Sequence, residues 1–282
     1  MQNTVRHIRK SLGGIYPPEE INSFIRIIFE KVCHFSSADF ILCKNTILSS
    51  TRQQEIAAIV QRLQKYEPLQ YITGETWFCG LRFKTAPGAL IPRPETEELA
   101  DLIIRRHRGG SGRLADIGTG SGCIAVTLAR QLPGFRTEGW DISPDALDIA
   151  TGNAAALQAH VTFRQADILS WEPAPDECGA YDIWVSNPPY VRESEKKEMR
   201  PNVLDYEPHT ALFVPDDDPL LFYRKIAQTA LRTLRPGGAL YFEINAALGG
   251  ETQKLITDIG YRQVELLRDM QQRDRIIAAR HP

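Results

Sequence analysis

Cysteine and histidine are scarce and scattered in this sequence. The chain has no two cysteines in a C-x-x-C arrangement, and its five cysteines are Cys33, Cys43, Cys79, Cys123 and Cys178. An odd number of dispersed cysteines argues against a disulfide framework and against a zinc site. The six histidines are also isolated from one another. We therefore expect a reduced protein without a bound metal ion.

Long apolar runs and a strong net charge are missing as well. No segment approaches the roughly 20 apolar residues that span a bilayer, and the N-terminus lacks a signal-peptide core. The net charge of −2 provides no overall field that would draw the protein to nucleic acid or to anionic membrane. The 282 residues, 43% of them hydrophobic, are enough for one large or two ordinary domains. A cytoplasmic monomer that binds neither membrane nor nucleic acid directly is expected.

The first part of the chain has the periodicity of amphipathic helices. Pro17 and Pro18 suit a helix start, and apolar residues recur at helical spacing over residues 21–32 and again over residues 56–63. Such helices bury their apolar faces only against one another, which predicts a small all-α bundle over residues 1–73. Two interpretations stay open, because the bundle either is purely structural or holds a macromolecular substrate.

A short β-hairpin is predicted after the bundle. Residues 76–83 contain two apolar, β-prone triplets separated by Cys79 and Gly80. We expect residues 74–86 to form a hairpin that links the bundle to the rest of the chain.

Residues 87–282 are predicted to form an α/β domain, because strand-like and helical segments alternate along them. The domain opens with Ile-Pro-Arg-Pro-Glu-Thr-Glu at residues 91–97, which leads into a helix whose first turn is acidic. This stiff, charged segment either forms one wall of a site or simply connects the two parts of the chain.

A glycine-rich turn joins the first strand of this domain to a helix. Its spacing is neither the G-x-G-x-x-G of dinucleotide enzymes nor a P-loop, so no phosphate site is indicated. Glycines in such a turn supply unusual backbone angles and let a ligand approach the main chain closely. The candidate ligand-binding residues of the turn are Gly118, Thr119, Gly120, Ser121 and Gly122.

Acidic residues follow the next two predicted strands. Asp141 lies about 20 residues beyond the glycine turn, at the position where a carboxylate binds the hydroxyls of a ribose. Asp167 is placed to accept the exocyclic amino group of an adenine, with Ile168 against the ring. Ordinary capping at the end of the strand is an equal alternative for Asp167.

The fourth strand is predicted at residues 181–186, around the apolar run Ile183 to Val185, and Asn187-Pro188-Pro189-Tyr190 follows it directly. Two prolines stop a strand abruptly because neither can donate to a ladder. Asn187 Oδ1 and the Pro188 carbonyl provide two acceptors that suit a planar NH2 group, and the ring of Tyr190 is placed to pack on it. A loop that merely ends a strand is the simpler alternative.

The glycine turn, Asp141, Asp167 and the Asn-Pro-Pro-Tyr segment follow one another in strand order. Together they indicate a nucleoside ligand with no phosphate requirement. S-adenosylmethionine is the simplest such ligand. The expected chemistry is methyl transfer to an NH2 group, with Asn187, Pro188 and Tyr190 as the catalytic residues and Asn187 also beside the cofactor.

Two segments are particularly distinctive, Ile-Pro-Arg-Pro-Glu-Thr-Glu at 91–97 and Tyr-Glu-Pro at 206–208. Through them, and from about residue 17 to the C-terminus, the chain resembles the HemK/PrmC family, the glutamine N5-methyltransferases of peptide-chain release factors. One departure is Asn245, which stands where the family usually has glycine, in a turn expected to lie outside the site. The other matching segments are 116–122, 141–147, 186–190 and 268–275.

This resemblance implies a Rossmann-like S-adenosylmethionine-dependent methyltransferase domain whose partner and substrate is a release factor. The methylated group would be the side-chain amide of the glutamine in a Gly-Gly-Gln loop. Two alternatives are an amino-methyltransferase of a nucleic-acid base and one of a ribosomal-protein glutamine. A third is a nucleoside-sensing module without turnover, against which the intact Asn187 and Tyr190 argue.

Overall fold

The computed structural model describes residues 1–282, apart from the side chains of Ser37 and Ile41. The chain divides into two compact units. The first unit contains Met1–Gly74 and Arg200–Tyr206, and the second contains Glu75–Met199 and Glu207–Pro282.

Helices and strands alternate through most of the second unit, whereas the first unit is helical. In chain order the helices are α1 (Gln2–Leu12), α2 (Pro18–Cys33), α3 (Ser37–Leu42), α4 (Ser50–Leu63), α5 (Leu69–Thr73), α6 (Pro94–His107), α7 (Cys123–Gln131), α8 (Pro144–Ala156), α9 (Pro201–Leu204), α10 (Leu221–Thr233) and α11 (Gly249–Ile259). The strands are β1 (Glu75–Phe78), β2 (Leu81–Lys84), β3 (Gly112–Ile117), β4 (Phe135–Asp141), β5 (Val161–Gln165), β6 (Tyr181–Ser186), β7 (Val191–Arg192), β8 (Phe213–Val214), β9 (Leu234–Glu243), β10 (Arg262–Arg268) and β11 (Asp274–Arg280). Short 3-10 turns occupy Pro175–Glu177, Glu193–Glu198, His209–Ala211 and Ala246–Leu248.

The predicted helical bundle is present in the first unit. Pro18 begins α2 at a position where its missing N–H costs nothing, and Ile25, Ile28 and Phe29 of that helix are buried. They share one apolar core with residues of α1 and α4, which none of these helices could form alone.

The segment 200–206 belongs to this bundle although it is distant in sequence. Arg200 Nη1 lies 2.8 Å from Glu20 Oε2 of α2, and the Tyr206 hydroxyl donates to the Lys65 carbonyl at 2.7 Å. The expected boundaries of 1–73, 74–86 and 87–282 did not include this return of the chain to the first unit.

The second unit is built on a sheet whose strand order, among the described residues, is β10-β11-β9-β6-β3-β4-β5. The strands β3, β4, β5, β6 and β9 are parallel, whereas β10 and β11 form an antiparallel edge. The chain runs outward from β3 through β4 to β5 and then returns to the other side of β3 with β6. Ligands bind at this kind of reversal in open α/β sheets. The predicted Rossmann-like α/β architecture is confirmed.

Both faces of the sheet are covered, which is why the middle of the central strand β6 is a continuous apolar run, Ile183 to Val185. Ile183 and Val185 of β6 point to the core that α6 and α7 complete, while Trp184 points to the core under α10 and α11. Alternate side chains of a strand face opposite sides, so a continuous apolar run requires helices on both.

The hairpin β1–β2 is part of the second unit rather than a separate linker. It turns at Cys79 and Gly80, whose φ angles of 48° and 73° fit the two-residue turns that tight hairpins favour. Phe78 and Phe83 are fully buried and join the core beside α6. Among the described residues, no helix combines the length and apolar character needed to cross a bilayer.

We predict that Phe83→Ala lowers the free energy of unfolding of the second unit by ~3–5 kcal/mol, because it removes a buried ring from that core. Trp77→Ala on the paired strand is the control, since Trp77 is 54% exposed, and it should cost less than ~1 kcal/mol. All four tryptophans belong to the second unit, so their fluorescence in a urea titration follows its unfolding. Equal effects of the two substitutions would contradict the assignment of the hairpin to the core.

Candidate functional site

A cavity of about 400 Å³ lies at the carboxyl ends of the parallel strands in the second unit. Each of four neighbouring strands, β3, β4, β5 and β6, contributes lining residues where it ends. Eight of the predicted site residues line the cavity, namely Gly118, Gly120, Asp141, Asp167, Ile168, Asn187, Pro188 and Pro189. The fold therefore brings together residues that are up to 71 positions apart in sequence.

The glycines of the turn between β3 and α7 have two different roles. Gly118 and Gly120 have φ angles of 71° and 55°, and nothing lies within 4 Å of where a Cβ would project from either. Gly122, in contrast, is the N-cap residue of α7, and a Cβ there would lie 3.0 Å from that of Ala150 in α8. Gly118 and Gly120 thus keep the cavity open, while Gly122 permits close helix packing.

Thr119 and Ser121, predicted to bind the ligand, do not line the cavity. Both are buried, and the Thr119 hydroxyl donates to Asp116 Oδ2 at 2.7 Å. The Ser121 carbonyl accepts from Asn153 Nδ2 at 2.9 Å. Successive residues of the turn face opposite sides. Gly118 and Gly120 therefore face the cavity, while the side chains of Thr119 and Ser121 point into the protein interior.

Asp116 is a buried acid that our sequence analysis did not assign to the site. Its Oδ2 also accepts from the Ala125 N–H at 3.1 Å, while its Oδ1 has no hydrogen-bond partner among the described residues. Burial raises the pKa of the Asp116 carboxyl to about 7. Its position at the start of the glycine turn was visible in the sequence, but its burial was not.

Asp141 ends β4 and lines the cavity as predicted. Its Oδ2 accepts from the Gly120 N–H at 2.8 Å and its Oδ1 from the Ser143 N–H at 2.9 Å. Burial raises the pKa of the Asp141 carboxyl, and these two backbone bonds oppose that rise. Each carboxylate oxygen keeps a further acceptor site, so the group can still receive two ligand hydroxyls.

Asp167 makes the capping contacts that were one of the two alternatives left open by the sequence. It caps the turn after β5 by accepting from the Leu169 N–H at 2.9 Å and from the Ser170 hydroxyl at 3.1 Å. It also lines the cavity, next to Ile168. Capping fixes the carboxylate and leaves acceptor capacity on both oxygens.

The segment after β6 presents its first three residues to the cavity and turns the fourth away. Tyr190 does not line the cavity, and its hydroxyl donates to Glu243 Oε1 at 3.0 Å. Burial raises the pKa of the Tyr190 hydroxyl far above its ordinary value. The ring packs against the core under α10, and the packing of its face on a bound NH2 group stays a prediction.

Asn245 does not line the cavity, but it lies beside this segment. Its Nδ2 donates to the Tyr190 carbonyl at 3.1 Å. The residue that departs from the family pattern therefore holds the end of the Asn-Pro-Pro-Tyr segment.

Glu207 connects the two most particular segments of the sequence. The Glu207 carboxylate accepts from Arg93 Nη2 at 2.5 Å and from the Ile91 N–H at 3.2 Å, and it is only 3% exposed. Residues 88–90 and 208–215, which flank these contacts, contribute to the cavity wall. Sequence analysis could not find the pair because its members are 114 residues apart.

A further buried acid, Glu243, lies at the end of β9. It accepts from the Thr96 hydroxyl at 2.6 Å as well as from Tyr190, and Asn187 Nδ2 donates to that same Thr96 oxygen at 3.3 Å. Burial raises the pKa of the Glu243 carboxyl, while its hydroxyl donors and the positive charge of Arg275 lower it. Within the described part of the chain, no cluster of His, Cys, Asp and Glu could hold a metal ion.

Family models match both parts of the chain. The PrmC N-terminal domain matches residues 3–74, and the Methyltransferase small domain matches residues 96–204. Two solved structures share the fold. A methyltransferase from Pyrococcus furiosus has a TM-score of 0.53 at 16% identity, covering 83% of this chain and 99% of its own. The T. thermophilus 16S rRNA methyltransferase solved with AdoMet and guanosine has a TM-score of 0.53 at 18% identity. The match covers 74% of this chain and 50% of that methyltransferase.

Closer relatives match over nearly the full length. The chain is 50% identical over 279 residues to the release factor glutamine methyltransferase of Bacteroides thetaiotaomicron, with 99% of each chain covered. It is 43% identical over 272 residues to that of Flavobacterium psychrophilum, with 95% of this chain and 94% of the relative covered. On this evidence the chain belongs to the release factor glutamine methyltransferase family.

Proposed function

We propose that the protein transfers a methyl group from S-adenosylmethionine to a glutamine side-chain amide of a peptide-chain release factor. The glutamine is that of the Gly-Gly-Gln loop. One observation carries the proposal: the acceptors Asn187 and Pro188 line the same cavity as Asp141 and Asp167. Donor and acceptor of a methyl group must meet in one enclosed space, and the family membership identifies the acceptor.

The cavity residues fit S-adenosylmethionine. The open space beside Gly118 and Gly120 admits a ligand against the main chain. Asp141 would accept the ribose hydroxyls, and Asp167 the adenine amino group, with Ile168 against the ring. When bound, the cofactor supplies a methyl group made electrophilic by a positively charged sulfur. A volume of about 400 Å³ is in the range of small-molecule sites.

Asn187 and Pro188 would hold the substrate amide. An amide nitrogen is a poor nucleophile because its lone pair is delocalised into the carbonyl, so orientation matters most and is worth ~7–11 kcal/mol in favourable cases. Asn187 Oδ1 and the Pro188 carbonyl would each accept one amide N–H. As positive charge develops on the nitrogen, the same two acceptors stabilise it. No general base is required before transfer.

We also propose that the helical bundle of residues 1–73 contributes to recognition of the protein substrate. The bundle matches the PrmC N-terminal domain, and residues 1–74 carry nine Lys and Arg against six Asp and Glu. Binding energy from a remote surface can position a weak nucleophile that a short peptide would present poorly.

The function is tested with labelled S-adenosylmethionine and three acceptors: an intact release factor, total RNA and DNA. We expect one methyl group on the release factor, located by mass spectrometry on the glutamine of its Gly-Gly-Gln loop, and none after that glutamine is changed to alanine. Labelling of RNA or DNA but not of the factor would favour the nucleic-acid alternative. The near-neutral charge of the chain argues against that alternative.

Asp141→Ala is expected to weaken S-adenosylmethionine binding by ~1.5–3 kcal/mol, because it removes charged hydrogen-bond acceptors from the cavity. Calorimetry measures the affinity directly. The control is Asp148→Ala, which removes an exposed carboxylate from the helix that follows β4 and should leave the affinity unchanged. An unaltered affinity in Asp141→Ala would remove Asp141 from the cofactor site.

Asn187→Ala is expected to reduce kcat by a factor of ~100 or more, as the loss of one oriented polar group in a transition state does. Cofactor affinity should fall much less, because the Asn187 acceptor addresses the substrate amide. Initial rates on an intact release factor and calorimetry on the same preparation separate the two effects. Near-normal turnover would contradict the proposed mechanism.

A further inference from the structure

Asn187 can act as an acceptor only if its amide presents oxygen, and not nitrogen, to the cavity. The two orientations of a side-chain amide have almost the same shape, so hydrogen bonding must select between them. Asn187 Nδ2 lies 3.3 Å from Thr96 Oγ1, whereas its Oδ1 accepts no hydrogen bond from the described part of the chain. Because oxygen and nitrogen diverge from one carbon, holding Nδ2 at Thr96 leaves Oδ1 available to a substrate.

Glu243 determines which way the Thr96 hydroxyl points. A hydroxyl has one proton to donate, and Glu243 Oε2 lies 2.6 Å from Thr96 Oγ1. While Glu243 is ionised it can only accept, so the Thr96 proton is directed to Glu243 and the Thr96 oxygen accepts from Asn187. A short charge-assisted bond is also the stronger of the two.

Burial and a second hydrogen bond keep Glu243 in position to accept the proton of the Thr96 hydroxyl. It is 1% exposed, Tyr190 donates to its other oxygen at 3.0 Å, and Thr96 is 2% exposed. Water therefore does not compete for either bond. The three elements that supply these residues, α6, β9 and the segment after β6, all belong to the second unit.

We propose that Thr96, oriented by Glu243, is a positioning residue that fixes the Asn187 amide with Oδ1 toward the cavity. The proposal deepens the proposed function and rests on it. It also explains why the threonine of the Pro-Arg-Pro-Glu-Thr-Glu segment is buried at the first turn of α6, where its side chain caps nothing.

Thr96→Val tests the proposal, because valine keeps the shape of threonine and removes the acceptor for Asn187 Nδ2. We expect kcat on an intact release factor to fall about tenfold. This lies between the roughly twofold loss from equal population of both amide orientations and the ~100-fold loss that misplacement by about 1 Å can cause. The Kd for S-adenosylmethionine should stay within about twofold, and Thr96→Ser should restore most of kcat.

Thr252→Val is the matched control, since Thr252 is also buried and donates one hydrogen bond, to the Leu248 carbonyl at 2.8 Å. It should leave kcat unchanged. A double-mutant cycle then asks whether Thr96 acts through Asn187. In an Asn187→Ala background, Thr96→Val should lower the residual kcat by less than about twofold.

Three results would overturn the proposal. Thr96→Val could lower kcat equally with and without Asn187→Ala, or Thr96→Val and Thr252→Val could lower kcat equally. The third is a Thr96→Val kcat within about twofold of that of the unsubstituted protein. An original protein that methylates no release factor would overturn the proposed function and this inference with it. If the unsubstituted protein is active but the effects of Thr96→Val and Asn187→Ala on kcat are simply additive, only this inference is overturned.

Discussion

Parallel pairing of β3, β4, β5 and β6 is the constraint on which the candidate site depends. Parallel strands end at the same edge of a sheet, so the residues that follow them meet there whatever their separation in sequence. The glycine turn, Asp141, Asp167 and Asn187 each follow one of these strands. Helices on both faces cover the apolar residues of β3 and β6, and this fixes the edge at which the cavity forms.

Buried carboxylates organise the walls of the cavity. Burying an acid is costly unless it is paired or hydrogen-bonded, and Asp116, Glu207 and Glu243 each have such partners. Asp116 fixes the turn between β3 and α7, whereas Glu207 and Glu243 join segments that are distant in sequence. Glu207 holds the start of the Pro-Arg-Pro segment, and Glu243 holds both Thr96 and Tyr190. The two family-specific segments are thus explained by the contacts of two acids.

The first unit is not a simple N-terminal appendage. The chain leaves the second unit after Met199, packs residues 200–206 among the helices of the first, and resumes the second unit at Glu207. Within the first unit, Arg200 and Tyr206 anchor this segment. The Tyr-Glu-Pro segment therefore spans the boundary, with its tyrosine in one unit and its glutamate in the other.

The sequence by itself determined much of the secondary structure and the order of the ligand-facing residues. Apolar periodicity, the glycine turn and the paired prolines are local signals, so the buried strand at 181–186, the helical N-terminus and eight cavity residues followed from them. Only the tertiary structure decided the direction of Tyr190, the burial of Thr119 and Ser121, and the assignment of the hairpin to the core. It also revealed the bonds of Thr96 to Glu243 and of Arg93 to Glu207, whose partners are 147 and 114 residues apart. A local pattern predicts which face of an element is buried, but the identity of a hydrogen-bond partner depends on packing between elements that are distant in the chain.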